Sequence, residues 1–305
     1  MKTKLIIIFI FISCITVLVL GQNVKKKPVV QSIYLTSSFN KQISKIPSGF
    51  LGHNPQTIYK AVEIKSRLLS KDEFETTSNY EQRIIKEKNS PILGVLNEDS
   101  LFVFRSMPSN LYILDFDYNA DNQELKLSIE LNNFTNYKSK DLFDYTKKSI
   151  VLKNRTIKKY NYNGTNLFGV SKSIEYKESD EYCLLINNWM NFTNVIYDNS
   201  NKLLSNFTND YLDRNITFKI SVNSETAKLI KDKDFNPNYS SLLSFLYIGK
   251  IKPPYAMQGY YYLGPPTISE PYEYIDNIKY ITMELEEIWV YNQKSGIVYS
   301  KILPH

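Results

Sequence analysis

The sequence predicts an α+β fold, mostly antiparallel β-sheet with a short N-terminal helical pair. Three observations carry that expectation. Apolar residues recur at helical spacing between residues 54 and 88, the period falls to two from residue 112 onward, and short turn-prone clusters separate the periodic runs. No linker rich in Gly, Pro or Ser divides the chain and no internal repeat is visible. Residues 22–305 therefore read as one domain.

The first element stands apart from the fold. Met1-Lys2-Thr3-Lys4 sets two positive charges ahead of Leu5 to Leu20, a run without charge or proline, which is the layout of a secretory signal. Val19-Leu20-Gly21 offers a cleavage site after Gly21, so residues 1–21 are expected to be a signal peptide. An uncleaved membrane anchor and a lipid anchor on Cys14 are the alternatives. The apolar run is short of the roughly 20 residues that span a bilayer, and the residues after Cys14 stay greasy. The expected setting is the periplasm or the exterior of a bacterial cell, with membrane contact only through an uncleaved signal or a lipid anchor.

After an extended lead-in with a turn at Pro47-Ser48-Gly49, Asn54-Pro55 opens a helix, since Asn caps and Pro is tolerated in the first turn. Ile58, Ala61, Val62 and Leu69 give it one apolar face. A second helix is expected near 77–88, with Ser78 and Glu81 as a capping box, Tyr80 and Ile84 on one face and Phe74 packed into the core ahead of it. The hairpin is the clearest local pattern. Tyr112, Leu114, Phe116 and Tyr118 alternate with polar neighbours, as do Leu125, Leu127, Ile129 and Leu131, around a turn at 119–123. Further strands are expected near 93–96, 101–105, 148–157, 168–176, 181–187, 215–222, 242–251, 279–291 and 296–302. A short helix with Ala227, Leu229 and Ile230 follows a cap at Asn223 or Ser224, and residues 188–213 read as a loop or ragged helix.

Composition removes several functional classes. Lys2 and Lys4 leave with the signal, so the 37 basic residues fall to 35 against 31 acidic ones, a net of +4. The two signs are mixed and no basic stripe appears, which argues against nucleic acid as a partner. Cys183 is the one cysteine left, within an apolar strand, and is expected to be a buried, inert thiol. Seven Asn-x-Ser/Thr triplets occur, but in a chain this rich in Asn chance supplies a good share of them.

Catalytic chemistry has few candidates. His305 ends the chain, which leaves His53 as an imidazole base or, alternatively, as a helix-entry residue bonded to nearby backbone. A His53–Cys183 nucleophile pair is conceivable, and no Gly-x-Ser-x-Gly elbow is present. Zinc draws on several Cys or His ligands, and Asp115, Asp117 and Asp121 read as the wet side of a hairpin. No metal or cofactor is expected. Glu284, Glu286, Glu287, Glu270 and Glu273 could supply a carboxylate pair. Alternation puts Glu284 and Glu286 on one strand face, with Met283, Leu285 and Trp289 on the other.

The most unusual stretch is Pro253 to Pro266, which reads as a loop holding Tyr255, Tyr260, Tyr261 and Tyr262 among four prolines. Exposed tyrosine rings stack on sugars or grip protein partners. The alternative is a loop folded over the sheet as a lid.

Two segments resemble uncharacterised bacterial exported proteins. Glu73-Phe74-Glu75-Thr76-Thr77-Ser78-Asn79-Tyr80-Glu81-Gln82-Arg83 is similar to an EFETTxxYxxR segment of such proteins. Tyr162-Asn163-Gly164-Thr165-Asn166-Leu167-Phe168-Gly169 resembles a second segment downstream. The resemblance implies a bacterial, periplasmic setting and transfers no catalytic residue. Arg83 would pair with Glu75 or bind a partner's carboxylate. The expected function is a non-enzymatic binding module acting on an envelope protein or cell-wall glycan through Tyr255 and Tyr260–Tyr262. The alternative is a hydrolase using His53 or a carboxylate pair.

Overall fold

Strands account for half of the structure, a computed structural model that describes residues 33–135, 143–192, 215–234 and 242–304. The expected signal segment and His305 lie outside the described residues, as does most of 188–213.

The helical pair is present. α1 (Pro55–Leu69) is capped by Asn54, whose side chain accepts from the amides of Gln56 and Thr57, and it buries Ile58, Tyr59 and Val62. α2 (Thr77–Lys88) begins two residues earlier than a Ser78 cap requires. Thr76 is the N-cap and accepts from Asn79 N–H, while α2 buries no residue. Phe74 is not a core residue: it is 90% exposed on the connection between the helices. Tyr80 does dock α2, its hydroxyl donating to Leu69 O at 3.2 Å.

Among the described residues ten strands follow: β1 (Phe102–Ser106), β2 (Tyr112–Asn119), β3 (Glu124–Glu130), β4 (Asn132–Thr135), β5 (Phe143–Thr165), β6 (Ser171–Ile186), β7 (Asn215–Ser221), β8 (Leu243–Leu263), β9 (Tyr272–Asn292) and β10 (Val298–Ile302), with α3 (Ser224–Asp234) between β7 and β8. The expected strand at 93–96 is a tight turn instead, closed by Leu96 N–H to Leu93 O at 2.9 Å.

β2, β3 and β7 form a small antiparallel sheet built on the predicted hairpin, and Leu125, Leu127 and Ile129 are fully buried beneath it. The other seven strands form one large sheet in the order β1-β8-β9-β6-β5-β4, with β10 also on β9. That sheet is mixed, because β6 runs parallel to β9. β6 occupies one edge of β9 from Tyr272 to Met283, and β10 takes over from Ile288 to Tyr291.

The main core lies between the two sheets and α1, where Phe102, Phe104, Phe245, Tyr247, Met283 and Val290 meet Leu127, Phe218 and Ile230. On the opposite face of the large sheet, Phe39, Ile46 and Phe50 from the lead-in cover Leu246, Ile248, Trp289 and Tyr291. Burial on both faces explains why 242–248 is one uninterrupted apolar run. A bulge corrects the expected face of Trp289. Ile248 pairs with Glu287 and Gly249 with Leu285, so Glu286 is an extra residue and the alternation inverts behind it. Met283 and Leu285 therefore share the main core with Ile288 and Val290, and Trp289 faces the other way.

The Pro253–Pro266 stretch is not a loop. β8 runs through it to Leu263, and pairing with β9 resumes at Ala256–Ile281 after a register shift at Ile251. Only residues 264–271 connect the two strands. Likewise the expected segments near 148–157, 168–176 and 181–187 are parts of a single long hairpin, β5–β6.

Candidate functional site

The large sheet outgrows its core. Strands usually run to about ten residues at most, whereas β5 has 23 and β8 and β9 have 21 each. Their far halves, with the start of β6, extend past α1 as an arm whose side chains, Ile174 and Ser179 apart, are half-exposed or exposed. At its root, where α1 ends its cover, an open cleft of 880 Å³ lies between helix and sheet. α1 supplies Tyr59, Glu63 and Arg67, β6 supplies Glu178 and Asp180, β8 supplies Gln258 and Tyr260, and β9 supplies Asn277 and Lys279.

The register explains this assembly. Gln258 pairs with Lys279, Tyr260 with Asn277 and Tyr262 with Ile275, so these side chains share the face on which α1 packs. Tyr261 is opposite Asp276 and belongs to the other face. The charges of the cleft are matched in pairs: Lys279 with Asp180, Arg67 with Glu63 at 3.8 Å, and Lys158 with Glu178 at 2.7 Å. The Lys158 bond holds the Glu178 carboxyl below its usual range. Gln258 Nε2 donates to Glu63 at 3.0 Å, and burial pushes the Tyr59 hydroxyl up to about 12. Further out on the same face, Tyr160 stacks on Tyr176 with centroids 4.7 Å apart, and Glu273 accepts from both Tyr162 (2.9 Å) and Tyr262 (3.2 Å).

The residues singled out from sequence separate accordingly. Tyr260 lines the cleft and Tyr262 stands beyond it on the same face. Tyr255 is buried at the bulge, its hydroxyl donating to Glu98 at 2.6 Å, so it presents no ring to a ligand. Arg83 pairs with Glu75 through Nε (2.8 Å) and Nη2 (2.6 Å) and also donates to the Leu68 and Ser70 carbonyls, which fastens the α1–α2 connection.

His53 is a backbone fastener. It is fully buried, Val103 N–H donates to its Nδ1 at 2.9 Å, and its Nε2–H donates to Ser37 O at 3.0 Å. Burial lowers its pKa, so the ring is held neutral. Gly52 makes this approach: its φ is +70°, and a Cβ there would collide with Val103 O. Cys183 is buried as expected, its thiol donating to Glu181 at 3.3 Å, and burial pushes its pKa well up.

Of the candidate carboxylates, Glu286 and Glu287 are held in ion pairs. The bulge turns Glu286 and Glu287 toward Lys41, which reaches them at 2.9 and 2.7 Å, and Trp289 Nε1–H donates to Glu287 at 2.6 Å. Asp115 faces Lys126 at 3.7 Å on the wet side of its hairpin. Among the described residues, no group of three or more His, Cys, Asp or Glu could hold a metal ion, and no helix is long and apolar enough to cross a membrane.

Sequence reasoning missed Tyr59, Glu63, Arg67, Glu178, Asp180, Gln258, Asn277 and Lys279. Tyr59, Glu63 and Arg67 fall at i, i+4 and i+8 of α1, a spacing that marks one stripe. The strand residues gave no signal, because their meeting depends on register. No protein-family model matches the chain, and neither the curated proteins nor the solved structures contain a match.

Proposed function

We propose that this chain is an exported envelope protein that binds a neutral, hydroxyl-rich polymer, a cell-wall glycan, in the cleft at the root of the arm. The observation that carries this reading is the matched charge of the cleft. Its acids and bases are joined in pairs, so it offers no net charge to an ion. It does offer the Gln258 and Asn277 amides beside the half-buried Tyr260 ring, the mixture that suits sugar hydroxyls and their apolar faces. The exported setting rests on the basic and apolar segment that begins the chain.

In place of a four-tyrosine loop stands a strand face that keeps Tyr260 and Tyr262 and drops Tyr255 and Tyr261. Titration with soluble oligomers of β-linked N-acetylglucosamine, alongside co-sedimentation with insoluble cell-wall glycan, tests it. Tyr260→Ala, or Gln258→Ala with Asn277→Ala, is expected to weaken binding about tenfold or more. Tyr261→Ala on the opposite face is expected to leave it unchanged. Equal binding by all variants, or release of cleaved fragments from the glycan, would overturn the reading.

A further inference from the structure

The outer end of the arm gathers a cluster of exposed apolar side chains that the cleft does not use. The β5–β6 turn and the β8–β9 connection lie side by side there, since Glu175 N–H donates to Pro271 O at 2.9 Å and Lys172 Nζ donates to Ile268 O. Leu167 is 103% and Phe168 91% exposed, with Val170, Leu263 and Ile268 also exposed. Neither Gly164–Ser171 nor Leu263–Ser269 contains a charged residue. The first charges behind the turns are Lys172 and Glu270, of opposite sign. Set back by a few residues, roughly 10 Å along the strands, stand Tyr261, Tyr262, Tyr272 and Tyr274. Tyr262 and Tyr274 donate to Glu273 and Glu175, so these two carboxylates are met internally.

Several backbone donors of both turns are met locally. Asn166 Oδ1 accepts from the amides of Phe168 and Val170 at 3.0 Å each, and Asn166 exchanges two more backbone bonds with Val170 and Gly169. In the second turn Pro265 and Pro266 have no amide hydrogen, and Thr267 and Glu270 bond to each other. Open donors are what keeps an ordinary turn out of hydrocarbon.

We propose that this end of the arm docks on a lipid bilayer, with Leu167, Phe168, Val170, Leu263 and Ile268 entering the acyl boundary and the tyrosines lying at headgroup level. Apolar side chains at the extremity, one charge of each sign just behind them and amphipathic rings within the next few residues suit the boundary layer of one leaflet. The charge pattern selects the lipid. With Lys172 and Glu270 opposed, the surface complements a zwitterionic headgroup and has no excess to attract anionic ones.

Leu5–Leu20 can also enter lipid, so the test on the full chain uses a readout local to the turns. Trp189 and Trp289 are buried, and Phe168→Trp places a third indole at the extremity. Added vesicles of pure phosphatidylcholine are expected to shift the emission of that indole to the blue and expose it to a lipid-borne quencher. Leu167→Asp with Phe168→Trp is expected to lower the partition read by that indole about tenfold or more. Phe74→Asp with Phe168→Trp, which alters an equally exposed ring elsewhere, is expected to leave it unchanged. No shift on phosphatidylcholine, a shift only on phosphatidylglycerol vesicles that salt abolishes, or a shift that appears on self-association without lipid would each overturn the proposal.

Discussion

β9 shows two ways of making a strand. From Ile278 to Tyr291 it is buried almost throughout, with Tyr280, Met283, Ile288 and Trp289 at 1% exposure or less, while from Tyr272 to Asn277 every residue is half-exposed. In the body, packing on two faces dictates the residues, and a change of one methylene is felt. In the arm, both faces meet water, and tyrosine serves because its ring packs on a neighbour while its hydroxyl finds a carboxylate. The body therefore fixes the fold, and the residues of the arm are released from that constraint.

Substitutions in the two regions sharpen that contrast, beginning with the largest effect. Gly249 lies where β8 crosses the bulge, and a Cβ there would overlap the backbone of Glu284 and Leu285. Gly249→Ala is expected to destabilise by about 3 kcal/mol, read as a lower denaturation midpoint. His53→Ala removes a buried ring and leaves Val103 N–H and Ser37 O without their partners, for a loss of about 3 kcal/mol. Lys65 has its ammonium beneath the end of α2, donating to the carbonyls of Glu87 (3.1 Å), Lys88 (3.2 Å) and Ser90 (2.8 Å), with Glu98 at 3.3 Å. Lys65→Met is expected to cost about 2 kcal/mol and to loosen α2 before the sheet. In the arm, Tyr162→Phe is expected to leave the denaturation midpoint unchanged. A large loss at Tyr162 would break the comparison.

His53 also gives the body a pH dependence. Its folded pKa lies below the ordinary value of 6.5. The neutral ring favours the folded state fully above pH 6.5, and this contribution fades as pH falls below that value, because the unfolded chain takes up the proton first. Thermal melts between pH 7 and 5 are expected to show a falling midpoint, with a shallower fall in His53→Gln.

What the sequence disclosed follows the same division. The β2–β3 hairpin was legible because one face is buried and the other wet, which writes alternation into the residues. α1 was legible from Asn54-Pro55 and its apolar stripe. The long strands were not, because β5 beyond Lys153 has water on both faces and so no alternation to read. Pro253-Pro254 imitates a loop, yet the strand absorbs the pair in an irregularity between Ile251 and Ala256. The face of Trp289 was misassigned because nothing local announces a bulge at Glu286. Of the site, only Tyr260 and Tyr262 were named beforehand. Their companions come from three other elements and are joined only by register.

Backbone hydrogen exchange along β8 and β9 tests this division most directly. The amides of Ile278–Tyr291 and Leu243–Ile248 are expected to exchange only through global unfolding, whereas Tyr272–Asn277 and Tyr260–Leu263 exchange through local opening at a much lower free energy. Uniform protection from Tyr272 to Tyr291 would contradict the account, since the arm would then be as integral to the fold as the body.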